Sequence, residues 1–508
     1  MIDDLPRHIH ELVPYQVARD ATRPALVDAG RSWSYGELDA AISTTASWLQ
    51  HSGVRRGDRV MLVCENAAST VALLFATACL GAWPVIVNAR LADPEIDAIR
   101  AHCGARIVVF TSGASARAKA HGERLGAVAF ALDSIGTISA TRMDDAASIE
   151  QGEHDRTRDV AALIYTSGTT GKPKGVMLSH ASLLFVARAT ARARELNDDD
   201  RVYAVLPLSH ILGLTGVLLG AFASGACVHL TARFDPAAAL AALSRERVSV
   251  MIGTPSMYAL LAEYSGRKGL APIPAPALRL ISSAGAPLDM ATKAAAEKAF
   301  GRVLHNGYGI TECGPSLTLT RLDAPRRDCG IGVVLPGIGV RLKGADGSDV
   351  AAGEVGELHV RTPGLMNGYY KAPEETASVI DGEGWFRTGD LARFDDESLF
   401  IVGRSKELII RFGFNVYPAE IEGVLNAHPA VARAAVIGRA ANDSEDILAF
   451  VSLAAGAQAS VAQLQDFAAS RLAPYKRPQQ IVVLAELPTS AAGKILKSEL
   501  AALIPEAA

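Results

Sequence analysis

The chain is poor in the residues that would tie it to an extracellular, membrane or nucleic-acid setting. Its six cysteines (Cys64, Cys79, Cys103, Cys227, Cys313 and Cys329) form no CxxC pair and no metal-ligand spacing. That excludes a disulfide scaffold or a zinc ribbon and leaves reduced thiols, most of them expected in packing. There is no basic run, and 50 Lys and Arg against 54 Asp and Glu give a net charge of -4, so no nucleic-acid surface is expected. The opening MIDDLPRHIHEL carries acids and no apolar core; it does not read as a signal peptide, and a cytoplasmic protein is expected. Bilayer-length apolar runs are scarce as well. The segment Ile211 to Leu230 is long enough to span a membrane, but Gly213, Gly216, Gly220, Gly225 and His229 interrupt it and no basic or aromatic anchor flanks it. It reads as buried core.

What is present is a large apolar fraction. With 508 residues and 49% hydrophobic content, the chain can bury a sizeable core and is too long for one ordinary domain, so two or more folded units are expected. In SYGE, Ser34 stands three residues before Glu37, a capping-box pattern, and Leu38, Ile42 and Leu49 follow at helical spacing until Gly53. The short apolar runs RVMLVC (59–64), WPVIVN (83–88) and RIVVF (106–110) alternate with alanine-rich helical stretches, and the pattern returns at 202–207, 226–231, 248–252 and 279–283. Strands buried on both faces between helices predict a parallel α/β sheet. Between about 330 and 400 the text turns Gly-rich and alternating, as in GEVGELHVRTPG, which predicts antiparallel strands. After Gly403 a compact α+β unit of about a hundred residues follows.

One loop has a chemistry of its own. YTSGTTGKPKG, Tyr165 to Gly175, sets glycines, hydroxyls and two lysines between apolar runs. Backbone amides freed by glycine, hydroxyl donors and a lysine make a nest for an anion, most often phosphate. It is not a Walker A loop: the glycine spacing is short, and Pro173 stands where the magnesium-binding Ser/Thr would be.

Four further motifs follow in order: NGYGITECG (306–314), GWFRTGD (384–390), GRSKELIIRFGFNVYPAEIE (403–422) and LPTSAAGKILK (487–497). Together with the loop they resemble the core motifs of the adenylate-forming family of acyl-CoA synthetases, luciferases and peptide-synthetase adenylation domains. The resemblance covers essentially the whole chain. It implies an α/β N-terminal domain of Rossmann-like parallel sheets with a smaller β-barrel-like subdomain over 1–403, a hinge at 404–406 and a mobile α+β domain over 407–508. It also implies a two-step reaction, in which a carboxylate attacks ATP to give an acyl-adenylate and pyrophosphate, and the coenzyme A thiol then takes the acyl group and releases AMP.

Residue by residue, the resemblance implies that Thr166, Ser167, Gly168, Thr169, Thr170 and Lys174 grip the β and γ phosphates, and that Glu312 holds magnesium, which suits a lone carboxylate beside substrate phosphates. Thr311 would bond the α-phosphate, Tyr308 would lie on the adenine face with Asn306 near its edge, and Gly285, Ala286, Gly307 and Gly309 would border the nucleotide. Asp390 would accept from both ribose hydroxyls, which its two oxygens allow, with Arg404 as a second ribose contact. Lys494 would bridge the attacking carboxylate and the α-phosphate, Lys406 would be the hinge, and Gly413 would clear a path for the pantetheine arm. Many relatives carry two glycines where this chain has Phe412-Gly413, and Phe412 would narrow that path.

The segments placed around the acyl group, PLSHILGLTG, IGTPSMY, SSAGAP and NGYGITECGPS, contain no Lys or Arg, and their only acid is Glu312. An unpaired second carboxylate there would cost several kcal/mol. An apolar aliphatic or aromatic monocarboxylic acid is therefore expected, unless a cation such as Arg233 enters from elsewhere. Leu214 would supply apolar wall, Ser283 and Ala284 space, and His210 a gate near the carboxylate, or else a core histidine. Other readings are a dicarboxylate–CoA ligase, an acyl-AMP ligase serving a carrier protein, and a non-catalytic nucleotide binder. The oligomeric state, a homodimer among the options, stays open.

Overall fold

The computed structural model describes residues 6–150, 158–167, 173–412, 414–441, 444–489 and 495–503. Two large sheets make up its first part. In the eight-stranded sheet, Arg59–Cys64 lies between Trp83–Asn88 and Ile107–Phe110, all parallel. All six residues of Arg59–Cys64 are buried, which is why the run shows no polar alternation. The nine-stranded sheet has a parallel centre in which Cys227–Leu230, Arg201–Ala204, Val250–Gly253, Leu280–Ser283 and Leu304–Gly309 are successive neighbours. The strand positions expected at 202–207, 226–231, 248–252 and 279–283 fall on these elements.

Helices cover both sheets. Tyr35–His51 begins as SYGE predicts: the Ser34 hydroxyl accepts from the Glu37 amide at 3.1 Å, and the Glu37 carboxylate accepts from the Ser34 amide at 2.7 Å. Ile211 to Leu230 is core, as expected, and begins in an unusual form. Leu212–Leu219 is a π-helix, followed by the helix Gly220–Ser224 and then the strand Cys227–Leu230. The backbone passes so close to the preceding turn that a Cβ on Gly213 would lie 2.2 Å from the Pro207 carbonyl oxygen. Among the described residues no helix is long and apolar enough to cross a membrane. Burial raises the thiols of Cys64 and Cys103 to about 12, in keeping with packing roles.

The alternating segment beyond residue 330 forms a four-stranded antiparallel sheet of Gly339–Lys343, Gly356–Arg361, Phe386–Asp395 and Ser398–Arg404. After it, a hairpin (Ile409–Arg411 with Phe414–Val416), a three-stranded sheet (Val431–Ala441, Ser444–Leu453, Gln480–Leu484) and the helices Pro418–Asn426 and Val461–Ala469 share a core of their own around Ile421, Leu425, Ala449 and Leu464. A short helix, Lys497–Ala501, follows near the chain end. Lys497 bonds Glu407 at 2.7 Å and Glu422 at 2.8 Å, joining the chain end to the segment after Arg404.

Candidate active site

Strand register assembles the site. Val160–Ser167 and Pro173–Ser179 form an antiparallel hairpin in which Thr166 faces Lys174 and Ser167 faces Pro173. The tip of the glycine-rich loop, with Gly168, Thr169 and Thr170, lies outside the described residues. The short strand Gly368–Tyr369 pairs with the hairpin at Met177 and Val176. This places the Tyr369 ring 5.1 Å from Lys174 Nζ, and Lys174 is ion-paired to Glu375.

The same tyrosine reaches the second sheet. Its hydroxyl donates to Glu312 Oε1 at 2.8 Å, and the Met366 amide donates to the Glu312 carbonyl at 2.8 Å. Burial first, and then the Glu312 carboxylate, push the Tyr369 phenol well above its ordinary value, so it remains a donor. Glu312 is half-buried on the 3₁₀ turn Thr311–Cys313, with Thr311 beside it. A carboxylate oriented by a neutral donor and set beside a lysine suits a magnesium–phosphate group, because outer donors of this kind hold a ligand's orientation.

Four residues upstream, Tyr308 serves a different cluster. Its hydroxyl donates to Asp390 Oδ2 at 2.5 Å, while Arg404 Nε donates to Asp390 Oδ1 at 2.9 Å. Asp390 and Arg404 stand directly opposite each other in the antiparallel pair Phe386–Asp395 and Ser398–Arg404. The TGD and GR motifs, separate in sequence, are thus one cross-strand pair. Burial works against the Arg404 charge, yet Asp390 keeps the guanidinium above its ordinary value. Asp390 is 2% exposed and Arg404 about half. The Tyr308 hydroxyl is engaged with Asp390, and its ring remains as the surface available to a base.

The glycines of NGYGITECG have a backbone reason. A Cβ on Gly307 would fall 2.5 Å from a Leu319 methyl, and one on Gly309 would fall 2.1 Å from the Pro315 carbonyl oxygen. Both allow Leu304–Gly309 to close on Ser316–Leu319. Asn306, expected near the adenine edge, is 3% exposed and donates its amide to the Cys329 carbonyl at 3.1 Å.

The elements expected around the acyl group converge at the ends of Val250–Gly253 and Leu280–Ser283. Gly285 adopts φ +83°, and a Cβ there would lie 3.7 Å from Leu212 Cδ2; Ala286 beside it is half-buried. The Ala284 amide donates to the Gly253 carbonyl at 3.1 Å, and the buried Ser283 hydroxyl has no hydrogen-bond partner among the described residues. His210 is exposed rather than a core histidine; its backbone donates to the Pro207 carbonyl at 2.9 Å, and its Nδ1 accepts from the Leu212 amide at 3.3 Å. Leu214 is fully buried.

Lys406 lies exposed on the turn Ser405–Glu407, beside a hydrogen bond from the Ser405 hydroxyl to the Gly389 carbonyl at 3.1 Å. Gly413 and Lys494 fall outside the described residues. Phe412 takes φ +50° with its side chain largely exposed, a conformation that explains why glycine suits this position. Sequence reasoning missed Tyr369 and Glu375. Nothing in GYYKAPEET marks them, since their relevance comes only from pairing with the hairpin.

Comparison with known proteins agrees with this geometry. The AMP-binding enzyme family matches residues 13–370, and the AMP-binding enzyme C-terminal domain matches residues 420–494. A feruloyl-CoA synthase from Amycolatopsis sp is 35% identical over 479 residues, covering 94% of this chain and 95% of that protein. The long-chain-fatty-acid–CoA ligase FadD13 of Mycobacterium tuberculosis is 33% identical, with 92% of each chain covered. Among solved structures, ATP-bound MatB from Rhodopseudomonas palustris superposes with a TM-score of 0.85 at 30% identity, covering 97% of this chain and 98% of that one. Motifs, fold and relatives over nearly the full length agree, and the chain belongs to the AMP-binding enzyme family of adenylate-forming enzymes.

Proposed function

We propose that this chain, an AMP-forming acid–CoA ligase, acts on an apolar monocarboxylic acid, aromatic or aliphatic, with Glu312 holding magnesium and Lys494 as the adenylation lysine. One observation carries the reading: the segment Tyr308 to Glu312 ends in two clusters, Tyr308–Asp390–Arg404 and Glu312–Tyr369–Lys174. The first offers a ring, a carboxylate and a guanidinium suited to a nucleoside, and the second a carboxylate and a lysine suited to phosphate and magnesium.

In the first step an oxygen of the acid's carboxylate attacks the α-phosphorus of ATP, the bond to the β-phosphate oxygen breaks, and pyrophosphate leaves. Both reactants are anionic, so the barrier is lowered chiefly by positioning and by cancelling charge. Asp390 and Arg404 fix the ribose, and the Tyr308 ring lies against the base. Lys174, with the hydroxyls of Thr166, Ser167, Thr169 and Thr170, receives the leaving pyrophosphate, which requires Lys174 to exchange Glu375 for phosphate. Bound magnesium would supply further positive charge there, held by Glu312, whose orientation Tyr369 sets. Lys494 neutralises charge shared by the carboxylate and the α-phosphate, and Thr311 donates to the latter. In the second step the thiol sulfur attacks the acyl carbon and AMP departs. We assign residues 404–406 as the pivot about which the unit beyond them turns between the steps, with Gly413 clearing the pantetheine path. The feruloyl-CoA synthase and the long-chain-fatty-acid–CoA ligase, named for an aromatic and an aliphatic acyl group, support the apolar class.

The test is AMP formation from ATP, magnesium and coenzyme A with benzoate, octanoate, palmitate, acetate and malonate, compared by kcat/KM. Octanoate, palmitate or benzoate should lead. A preference for malonate or acetate would overturn the apolar assignment, and absence of AMP with every acid would overturn ligase activity.

A further inference from the structure

The histidines of RHIHEL (7–12) have no part in the nucleotide chemistry. His8 is extended, and Ile9–Glu11 forms a 3₁₀ turn in which the Glu11 amide donates to the His8 carbonyl at 3.1 Å. Ile9 is fully buried, and its amide donates to His180 Nδ1 at 3.1 Å. The turn is therefore held by burial and by a hydrogen bond, and it brings the side chains of His8, His10 and Glu11 together. One ligand atom from each lies within 4.8 Å of the other two, and all three residues are half-buried.

The remaining polar atoms of the cluster are arranged for a ligand. Glu11 Oε2 accepts from the Arg7 and His8 amides, each at 3.0 Å, which fixes the carboxylate and leaves Oε1 facing His8 Nδ1 at 3.3 Å. His10 Nδ1 is buried and has no hydrogen-bond partner among the described residues. Such an atom is costly unless something meets it. The His180 ring stands edge-on to His8 at 4.9 Å between centroids and to His10 at 5.7 Å. Because its Nδ1 accepts from Ile9, a neutral His180 carries its proton on Nε2 and packs the other two rings without adding a ligand. Arg56, whose charge reaches His180, is paired with Asp159 at 3.0 Å.

We propose that His8, His10 and Glu11 form a zinc site, in which two imidazole nitrogens and one carboxylate oxygen hold the metal and water takes the fourth position. Ligand atoms about 2.1 Å from one ion stand about 3.4 Å apart in a tetrahedron, and rotation of half-buried side chains closes separations of up to 4.8 Å to that value. Nitrogen donors of this kind select zinc and its neighbours over magnesium and calcium, which take oxygen shells. The site is separate from Glu312. His180 follows the strand Pro173–Ser179, and Ser179 pairs with Val160 at the end of the hairpin away from Lys174, about 17 Å along the strand. The ion fastens the segment 7–11, and through Ile9 and His180 that segment sits on the base of the phosphate hairpin.

The experiment titrates the metal-stripped full chain with zinc chloride by calorimetry, beside His10→Ala and Glu11→Gln, with magnesium and calcium chlorides as controls. Glu11→Gln keeps an acceptor for the Arg7 and His8 amides while removing the anionic ligand. The wild type should take up one more zinc ion per chain than His10→Ala at the same free metal, and affinity at that site should fall about 100-fold in His10→Ala and about 10-fold in Glu11→Gln. Magnesium and calcium should show no difference among the three proteins. Zinc should raise the thermal midpoint of the wild type and leave that of His10→Ala unchanged, since an ion bound only by the folded chain stabilises it. Equal zinc uptake and affinity in the three proteins overturn the proposal, as does a wild type that takes up no zinc. If His10→Ala does not fold, Glu11→Gln decides. No turnover is measured, so the outcome is independent of the ligase reading.

Discussion

Tyr369 touches both ends of the phosphate cluster, so removing its hydroxyl is a sharp test at the scale of one residue. Tyr369→Phe keeps the ring beside Lys174 and deletes the 2.8 Å hydrogen bond to Glu312. The magnesium concentration giving half-maximal adenylation should rise about 10-fold, the usual consequence of losing an outer-shell partner. An unchanged magnesium titration would separate Glu312 from the metal. Lys494 is tested by splitting the reaction. Lys494→Ala should lower pyrophosphate release by about 10² or more, whereas thioester formation from synthetic acyl-adenylate survives far better; equal losses in the two halves would contradict its assignment. Asp390 shows how a residue can be legible and yet incomplete. TGD pointed to a carboxylate for a diol, but only the fold reveals that Arg404 and Tyr308 hold its two oxygens.

At the level of elements, Leu304–Gly309 and Ser316–Leu319 pack backbone against backbone. Gly309→Ala would drive a Cβ to 2.1 Å from the Pro315 carbonyl oxygen, backbone against backbone, with no flexible side chain to give way. A loss of about 3 kcal/mol is expected from such overpacking, read as a lower urea midpoint, together with weaker ATP binding because Tyr308 and Glu312 flank the glycine. The turn Ser405–Glu407 is tested by Lys406→Pro, which fixes one backbone dihedral and removes an amide. Adenylation should persist while transfer to coenzyme A falls; full overall turnover would place the pivot elsewhere. The strands 59–64 and 83–88 were readable because burial on both faces leaves an unbroken apolar run. The π-helix Leu212–Leu219 was not, because apolar periodicity does not distinguish it from an α-helix, and it depends on the backbone packing that Gly213 permits.

For the molecule as a whole, the buried His180 makes stability fall as the solution becomes acid. His180 is 5% exposed, its Nδ1 accepts from the Ile9 amide at 3.1 Å, and burial first, then His8, His10 and Arg56, lower it to about 3 from an ordinary 6.5. The unfolded chain therefore binds a proton at this site between about pH 6.5 and pH 3 that the folded chain refuses. Stability is lost as pH falls through that window, by up to about 1.4 kcal/mol per pH unit for one such group. His180→Asn retains an acceptor for Ile9 and abolishes the titration, so the fall in urea midpoint between pH 6 and pH 5 should be shallower in the variant than in the wild type. Parallel curves would mean that other groups govern the acid limit.

The linear sequence by itself determined the family and the positions of the buried strands along the chain, because short motifs and unbroken apolar runs are local features, and from the same motifs came the residues proposed above to face the nucleotide. Tertiary structure alone decided which motifs meet. Cross-strand register joined Asp390 to Arg404, a two-residue strand brought Tyr369 to Glu312, and helix packing carried Arg194 to Gly216, a residue of a segment that contains no cation of its own. The physical reason is common to all three. Charge and hydrogen bonding act over a few ångströms in space, and separation along the chain carries no information about that distance until the backbone has paired.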